Sequence, residues 1–556
     1  MDATAAASKP AGLKATIDQF LVERQSVLDV LFPLFPLAFF AWTVRDVFSR
    51  KWIEVHQGWL ALSVVWLIAL AFSWVKSSDL TPASRVVLRT LTVLFAFYFS
   101  AYSPTVVPLT THAAEFLTLF NSSRVLTLFA CALALWRPSF SIVVFSLMFW
   151  QADWLKEIRW VPASATDMMV VLEFGTVLII GLLMLQVFQR VSAGIGLTRR
   201  STDEAVDFLL LALTACHFAN YFFSGMRKVL LDGGPLSWLL ENQTSYTLLA
   251  NLLTGHVPFV PPDWALPTFL HVAHTPAANI ILNTFVLGTQ LAAIFAIWRI
   301  WTMRVTCLVY DVQHIGIWLV TGIFFWKWII LNSALAYALR FIDEKFLTWW
   351  RGIALAGYLL AANLFFSVAW LGWYETGSFT WSRILAITED GKAYRVPTNY
   401  FGGASGRFYQ GDYNWLSAPG FATRTVGTTK HYEIMRKGNN CLLPVADRPR
   451  GRWDEQQLRG LNNFFLAHHL YVLQNAHADG RINYDIFPHH IWSNIFKFDE
   501  FRRLDKTKIQ KYRFVISSDC MSVGDQGVQT RRVGDEKVIE VPLPKTHDEA
   551  VKMMRQ

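Results

Sequence analysis

The segment Ala215–Lys228, ACHFANYFFSGMRK, gathers the side chains best suited to do chemistry. Taken as a helix at about 100° per residue with His217 at zero, Asn220 falls near about −60°, Ser224 near −20°, Lys228 near +20° and Tyr221 near +40°. The polar groups therefore share one narrow stripe, and Phe218, Phe222 and Phe223 cover the other faces. Such a stripe is costly in hydrocarbon unless it faces a cavity or partner helices. Two readings follow: the wall of a binding cavity, or hydrogen bonding between helices with a lysine reaching for the interface. In a cavity, a lysine held away from water is available as a neutral amine, and so as a general base. A neighbouring cation such as Arg227 would reinforce this if it shared the pocket.

Two more apolar segments carry polar groups. In HTPAANIILNTFVLGTQLAAIF, Asn279, Asn283 and Gln290 fall within about 40° of one another at helical spacing. In YDVQHIGIWLVTGIFFWKW, His314 stands near one end and Lys327 about three and a half turns on. Polar stripes on adjacent helices lower their cost by facing one another, which predicts one shared pocket; helix packing is the plainer alternative for the Asn/Gln stripe and for a lone histidine. Further along, His468, His469 and His477 lie on one predicted helix, and His489 and His490 stand in FPHHIW. Membrane di-iron enzymes use repeated HxxxH and HxxHH boxes, and neither spacing occurs here. No metal is predicted, and these histidines are read as surface or hydrogen-bonded core residues. GxSxG, P-loop and dinucleotide-binding patterns are not evident in a meaningful context.

The elements that position these groups belong in a bilayer. Of 556 residues, 53% are hydrophobic, 15% aromatic and only 16% charged, with 24 tryptophans and a mean hydropathy of +0.31. Globular chains carry about 25% charged residues, so a soluble globule is excluded. The net charge of +9 is spread thinly, which suits loops against anionic headgroups and argues against nucleic acid. Apolar runs near 28–46, 58–75, 86–104, 114–136, 139–155, 168–189, 205–225, 276–299, 306–335 and 352–374 predict roughly nine or ten spans of about 20 residues. The loop QRVSAGIGLTRRS is the most basic of the short ones, which predicts a cytoplasmic position and puts Lys228 near the far interface. Residues 230–270 are too interrupted by Gly and Pro to span; they predict re-entrant or interfacial helices over the face of Lys228. Residues 1–27 read as a polar tail and interfacial segment without a cleaved signal peptide.

After Trp381 the composition turns polar. The expected organisation is an all-α polytopic membrane domain over 28–384 followed by a smaller α+β extramembrane domain over 385–556, roughly 170 residues long. In it ITEDGKAYRV predicts a hairpin with an Asp-Gly turn, QLRGLNNFFLAHHLYVLQNA an amphipathic helix, and KYRFVISSDCM and KVIEVPLP strands. Of five cysteines, Cys131, Cys216 and Cys307 lie in apolar segments; Cys441 and Cys520 could pair if their domain is outside the cytoplasm.

The stretch YFFSGMRKVLLDGGPLSW resembles the signature of the vitamin K-dependent gamma-glutamyl carboxylases and their bacterial relatives, the horizontally transferred transmembrane (HTTM) domain proteins. In that family an aromatic-rich helix ends in a glycine followed by two basic residues and a downstream tryptophan, here Gly225, Arg227, Lys228 and Trp238. HIGIWLVTGIFF is similar to a later family helix that begins with a histidine, here His314. FWQADWLKEIRW sits about where the family has an aspartate–tryptophan stretch. NSSRVLTLFACAL resembles the family's Asn-His helix, with Ser122 or Ser123 in place of that histidine, and the family's tryptophan–aspartate–methionine element is reduced to WSRIL. The resemblance covers residues 30–385.

It implies a multi-pass protein of a bacterial inner membrane with a reduced, vitamin K-like quinone as cofactor. Lys228 would deprotonate that quinone with support from His314; His217, Asn220, Tyr221, Ser224, Arg227, Trp238, Asn283 and Gln290 would line the pocket. In the family, oxygenation of the hydroquinone generates a strong base that removes a proton from a glutamate side chain, to which carbon dioxide adds. The implied partners are membrane lipid and a protein substrate. The alternative is a non-catalytic membrane scaffold that binds a partner subunit through its C-terminal domain and a lipid in the transmembrane pocket.

Overall fold

The computed structural model describes residues 27–45, 55–101, 111–158, 166–194, 203–370, 372–375, 377–405, 408, 455–484, 490–532, 536–546, 548–549 and 552–553. The predicted tail before residue 27, Cys441 and His489 lie outside them, as do the side chains of Asp153 and Trp154. The membrane part is helical: α1 Val27–Val44, α2 Val55–Ala71, α3 Pro82–Ala101, α4 Thr111–Trp136, α5 Ser141–Ile158, α6 Thr166–Gly194 and α7 Asp203–Val229. Five helices among the described residues are long and apolar enough to cross a bilayer, namely α1, α3, the Thr118–Trp136 part of α4, the Met168–Val191 part of α6, and α7. Shorter apolar helices include Trp59–Ala71 and Pro138–Gln151. The protein is therefore a multi-pass membrane protein.

α7 is the central helix. Nearly every side chain from Ala205 to Tyr221 is buried, and α6 approaches so closely that a Cβ on Gly181 would stand 2.4 Å from Leu209. On α6, Glu173 is buried and accepts from Ser367 N (2.7 Å) and Ser367 Oγ (2.8 Å), and it pairs with Arg45 at 3.3 Å. A buried carboxylate needs such partners, and here they tie the end of α1 and the chain leaving α14 to α6.

After α7 come the short helices α8 Ser237–Glu241, α9 Thr244–Thr254 and α10 Pro262–His274, then α11 Pro276–Leu291, α12 Ile300–Thr321, α13 Trp326–Ala338 and α14 Trp349–Phe365. The interrupted 230–270 region forms short helices with exposed apolar side chains at Leu236, Leu240 and Trp264. Two expected spans are broken. The run 276–299 ends as a helix at Leu291, and 306–335 splits at Gly322, which takes a left-handed φ of +75°. Lys327 therefore stands on a different helix from His314.

The C-terminal part is built on β1 Ser378–Thr388, β2 Ala393–Val396, α15 Glu455–Asn475, β3 Ile509–Gly524, β4 Gly527–Arg532 and β5 Lys537–Pro542. β1 spans the position where the extramembrane domain was expected to begin. The predicted hairpin forms, with Gly391 at φ +78° and Ile384 opposite Val396. All sheet pairs are antiparallel. β3 is the long central strand, with β1 on one edge and β4 and then β5 along the other. α15 lays Phe464, Phe465 and Leu461 against this sheet. Cys520 in β3 is disulfide-bonded, and Cys131, Cys216 and Cys307 are free thiols.

The segment His490–Phe498 joins the two parts. Phe324 N donates to His490 O (2.7 Å), Trp492 N to Gly322 O (2.9 Å) and Asn494 N to Gly255 O (2.8 Å). The break between α12 and α13 is thus satisfied by backbone from the C-terminal part. A Cβ at Gly322 would sit 2.4 Å from Trp492 O and 2.6 Å from His256 O, so the approach requires glycine.

Candidate functional site

Lys228 lies in the last turn of α7, one residue from its end, and is fully enclosed. Its Nζ donates to Ser224 O on its own helix (3.1 Å) and to Gln290 Oε1 on α11 (2.9 Å). The amine also stands 4.0 Å from the ring centre of Trp373 and 5.1 Å from that of Trp238. Trp238 Nε1 in turn donates to Trp373 O (2.6 Å), locking the two indoles together. Two residues expected around the pocket, Gln290 and Trp238, are thus brought against Lys228. Trp373 carried no signal, because it belongs to irregular chain after α14.

The remaining stripe residues divide by role. Asn220 Oδ1 accepts from Ala369 N (2.6 Å), and Ser224 Oγ donates to Asn220 O (2.6 Å) and Ala369 O (3.2 Å). These two hold α7 to the chain leaving α14, which is the packing alternative. Asn283 is likewise committed: its Nδ2 donates to Leu239 O and Asn242 O, while its Oδ1 accepts from Thr244 and Asn242. Asn279 accepts from Ser245 N at 2.9 Å. Both asparagines fix the short helices α8 and α9 over α11. Arg227 points away from the lysine and stacks on Trp370 at 4.5 Å, so it does not share the pocket. Lys327 packs against Tyr98 and Trp326, also elsewhere.

A second polar group surrounds His217, Tyr221 and His314. His217 Nε2 bonds Asn332 Oδ1 (2.8 Å), and Asn332 Nδ2 donates to Tyr221 OH (3.1 Å). Because an amide oxygen only accepts, Nε2 carries the proton and Nδ1 presents a lone pair. That Nδ1 has no donor among the described residues, although His217 is 2% exposed. His314 Nδ1 is likewise enclosed without a partner. The walls are aromatic: Tyr221 stacks on Tyr310 at 3.5 Å between centroids, Trp328 stands 5.5 Å from both Tyr221 and His314, and Phe325 stands 5.2 Å from His314. Asp311 accepts from Ser333 Oγ at 2.7 Å, and its Oδ1 is another enclosed atom without a partner. Asn332, Tyr310, Trp328 and Asp311 were not singled out in the sequence.

The structure thus places the predicted residues in two groups along one helix. Tyr221 and Lys228 are seven residues apart, about 10 Å along α7, and His314 keeps company with Tyr221 rather than with the lysine. Of the C-terminal histidines, His468 bonds Tyr400 O (2.9 Å) in the core. His469 is buried there too, and desolvation pushes it down to about 4. His477 is exposed just past α15.

No family model, curated protein or solved structure matches the chain.

Proposed function

We propose that the protein is a membrane-embedded enzyme in which Lys228 deprotonates a reduced quinone or a similar lipid-soluble substrate. The observation that carries this reading is the setting of the amine: an enclosed Nζ held by a side-chain amide and a main-chain carbonyl, between two indole faces. The resemblance of the Gly225–Trp238 stretch to the carboxylase and HTTM signature supports it. A flat ring suits the residues present beside Lys228, since the indoles offer planar walls. Trp238, Trp373 and Gln290 would hold the ring.

When bound, the reduced quinone supplies the electrons for oxygen chemistry. The chain's own contribution is proton handling and exclusion of water. Lys228 accepts the proton at Nζ. Ser224 O and Gln290 Oε1 orient that atom, and the indoles keep solvent away from it. Hydroquinone-dependent oxygen uptake by the purified protein, compared with Lys228→Ala, tests the assignment. No uptake by the parent, or equal uptake by the variant, refutes it.

The reading extends to orientation and span count. Lys76, Arg85, Arg89, Arg137 and Arg190 gather at the end of the bundle where α7 begins, and Arg351 pairs with Glu204 there at 2.7 Å. Lys228 and the sheet lie at the opposite end. An excess of cations supports a cytoplasmic position for the α7 start, and the disulfide at Cys520 supports an oxidising compartment for the sheet. Both favour a C-terminal domain outside the cytoplasm of a bacterial inner membrane, with the shorter apolar helices completing roughly nine or ten crossings.

A second reading, a scaffold that mounts a partner subunit on its C-terminal domain, is favoured by the docking of His490–Phe498 onto the breaks at Gly255 and Gly322. A stoichiometric partner copurifying with a protein that takes up no oxygen would support it.

A further inference from the structure

We propose that the indole of Trp373 acts on the charge of Lys228: its ring face stabilises the ammonium that forms when Nζ takes a proton. This role rests on Lys228 being the base, and it adds a second residue in contact with the atom that reacts. Two consecutive cations at the end of α7 each meet a tryptophan of the chain leaving α14. Arg227 stands 4.5 Å from the ring centre of Trp370, and Lys228 Nζ stands 4.0 Å from that of Trp373.

That chain is irregular beside a membrane span, a state that persists only where protein satisfies the backbone. Ser367 N donates to Glu173 (2.7 Å), Ala369 N donates to Asn220 Oδ1 (2.6 Å), and Ala369 O accepts from Ser224 Oγ (3.2 Å). Further on, Glu375 N donates to Asn242 Oδ1 (2.7 Å) and Trp373 O accepts from Trp238 Nε1 (2.6 Å). Side chains of α6, α7, α8 and the turn after α8 thus set the position of Trp373 over the amine. Asn220 and Ser224, on the same helix as Lys228, are positioning residues in this arrangement.

The face of an indole carries negative potential, so it attracts an ammonium strongly and a neutral amine little. The hydrogen bonds to Ser224 O and Gln290 Oε1 can be made by either form and mainly orient the nitrogen. Water screens such a contact. Trp370 is 39% exposed, so the Arg227 pair is weak; Lys228 has no exposed surface, so the Trp373 pair keeps its full strength. In the proposed step the substrate's O–H bond breaks, an N–H bond forms at the lone pair of Nζ, and an oxyanion is left. No electron passes to the indole. A contact that strengthens as the proton arrives favours the transition state over the ground state.

Replacing Trp373 with tryptophans carrying one, two and three fluorines drains the ring face while keeping its shape. The full chain in nanodiscs, with 15N at the lysine Nζ atoms, reports the ammonium-to-amine ratio of Lys228 through a resonance assigned by its loss in Lys228→Arg. The ratio is expected to fall stepwise with each fluorine, by about thirtyfold over three, the size of a desolvated contact of this kind. Turnover should fall in parallel. A ratio that does not change along the series overturns the proposal. So does an equal fall when the same series is placed at Trp370, which would trace the effect to the chain rather than to the ring over the amine. If the parent takes up no oxygen, the assignment of Lys228 as a base fails, while the resonance still decides whether Trp373 holds the charge.

Discussion

Two lysines in this protein, Lys228 in the membrane part and Lys506 in the C-terminal part, are both fully buried. Both donate to main-chain oxygen and both face aromatic rings. Lys506 Nζ donates to Arg502 O (2.8 Å) and Leu504 O (2.9 Å), with Phe501 at 5.0 Å and Tyr484 at 6.0 Å. Its acceptors are carbonyls of the turn immediately before it, left over where the helix Asp499–Arg503 ends. Lys506 thus completes a local hydrogen-bond set. Lys228 differs in one respect: its second acceptor is the side chain of Gln290, 62 positions away on another helix. A side-chain amide on a separate helix can yield its place to a ligand without unwinding anything; a terminal carbonyl cannot. Burial of a lysine therefore says little about chemistry, and the nature of its acceptors says more.

The largest expected effect tests that contrast directly. Lys228→Met should lower hydroquinone-dependent turnover by on the order of a hundredfold or more, the usual range for losing a general base. Lys506→Met should leave turnover per folded molecule unchanged and cost about 2 kcal/mol of stability, since it strands two carbonyls. Oxygen uptake and thermal unfolding of both variants separate the two roles. Similar effects of both substitutions on both measurements would erase the distinction.

Next in size is Gly322→Ala, which attacks the seam between the two regions. The new Cβ would lie 2.4 Å from Trp492 O on a backbone at φ +75°, so about 2–3 kcal/mol of destabilisation is expected. Hydrogen exchange should locate it at residues 490–498, while Lys506 stays protected.

This seam was the least legible feature of the sequence. HIGIWLVTGIFFWKW remains apolar straight through Gly322, so hydrophobicity alone predicts one continuous helix. The break exists because His490 and Trp492 satisfy the freed backbone from far along the chain. Trp373 and Asn332 were missed for the same reason, as their partners are set by tertiary contact. Local signals did better. The Asp-Gly turn specified the hairpin, the apolar face of QLRGLNNFFLAHHLYVLQNA specified α15, and helical spacing put His217, Tyr221 and Lys228 on one stripe. That stripe gave direction around the helix but not which residues along it would meet; His314, joined to the lysine by the family resemblance, lies beside Tyr221.

A smaller effect is expected at Gln290. Gln290→Leu removes the acceptor on α11 that distinguishes Lys228 from Lys506. About tenfold slower turnover is expected, from roughly 1.4 kcal/mol for one hydrogen bond to a charged group or its conjugate amine. Gln290→Glu keeps an oxygen in place but adds a charge that would hold the ammonium. It should shift the rising limb of the pH–rate profile upward in pH, an effect that a packing role for Gln290 would not produce.

The smallest effect concerns a third lysine, at the seam itself. Lys497 Nζ donates to Leu253 O (2.8 Å) and Leu252 O (3.3 Å), and Arg395 Nη2 donates to Thr254 O (2.7 Å). These cations cap the carbonyl end of α9, a favourable position for positive charge. Burial, with Arg395 adding to it, pushes Lys497 down to about 8 from its ordinary 10.5. The folded state therefore releases this proton before the unfolded state does. Between about pH 8 and 10.5 the unfolded chain holds more protons at this residue, so its contribution to stability rises with pH across that window and is level below it. Hydrogen exchange at residues 490–498 should slow, relative to the intrinsic rate, as pH is raised from 8 to 10. The Lys497→Met protein should lack that pH dependence, and a slope that survives the substitution would assign it to another group.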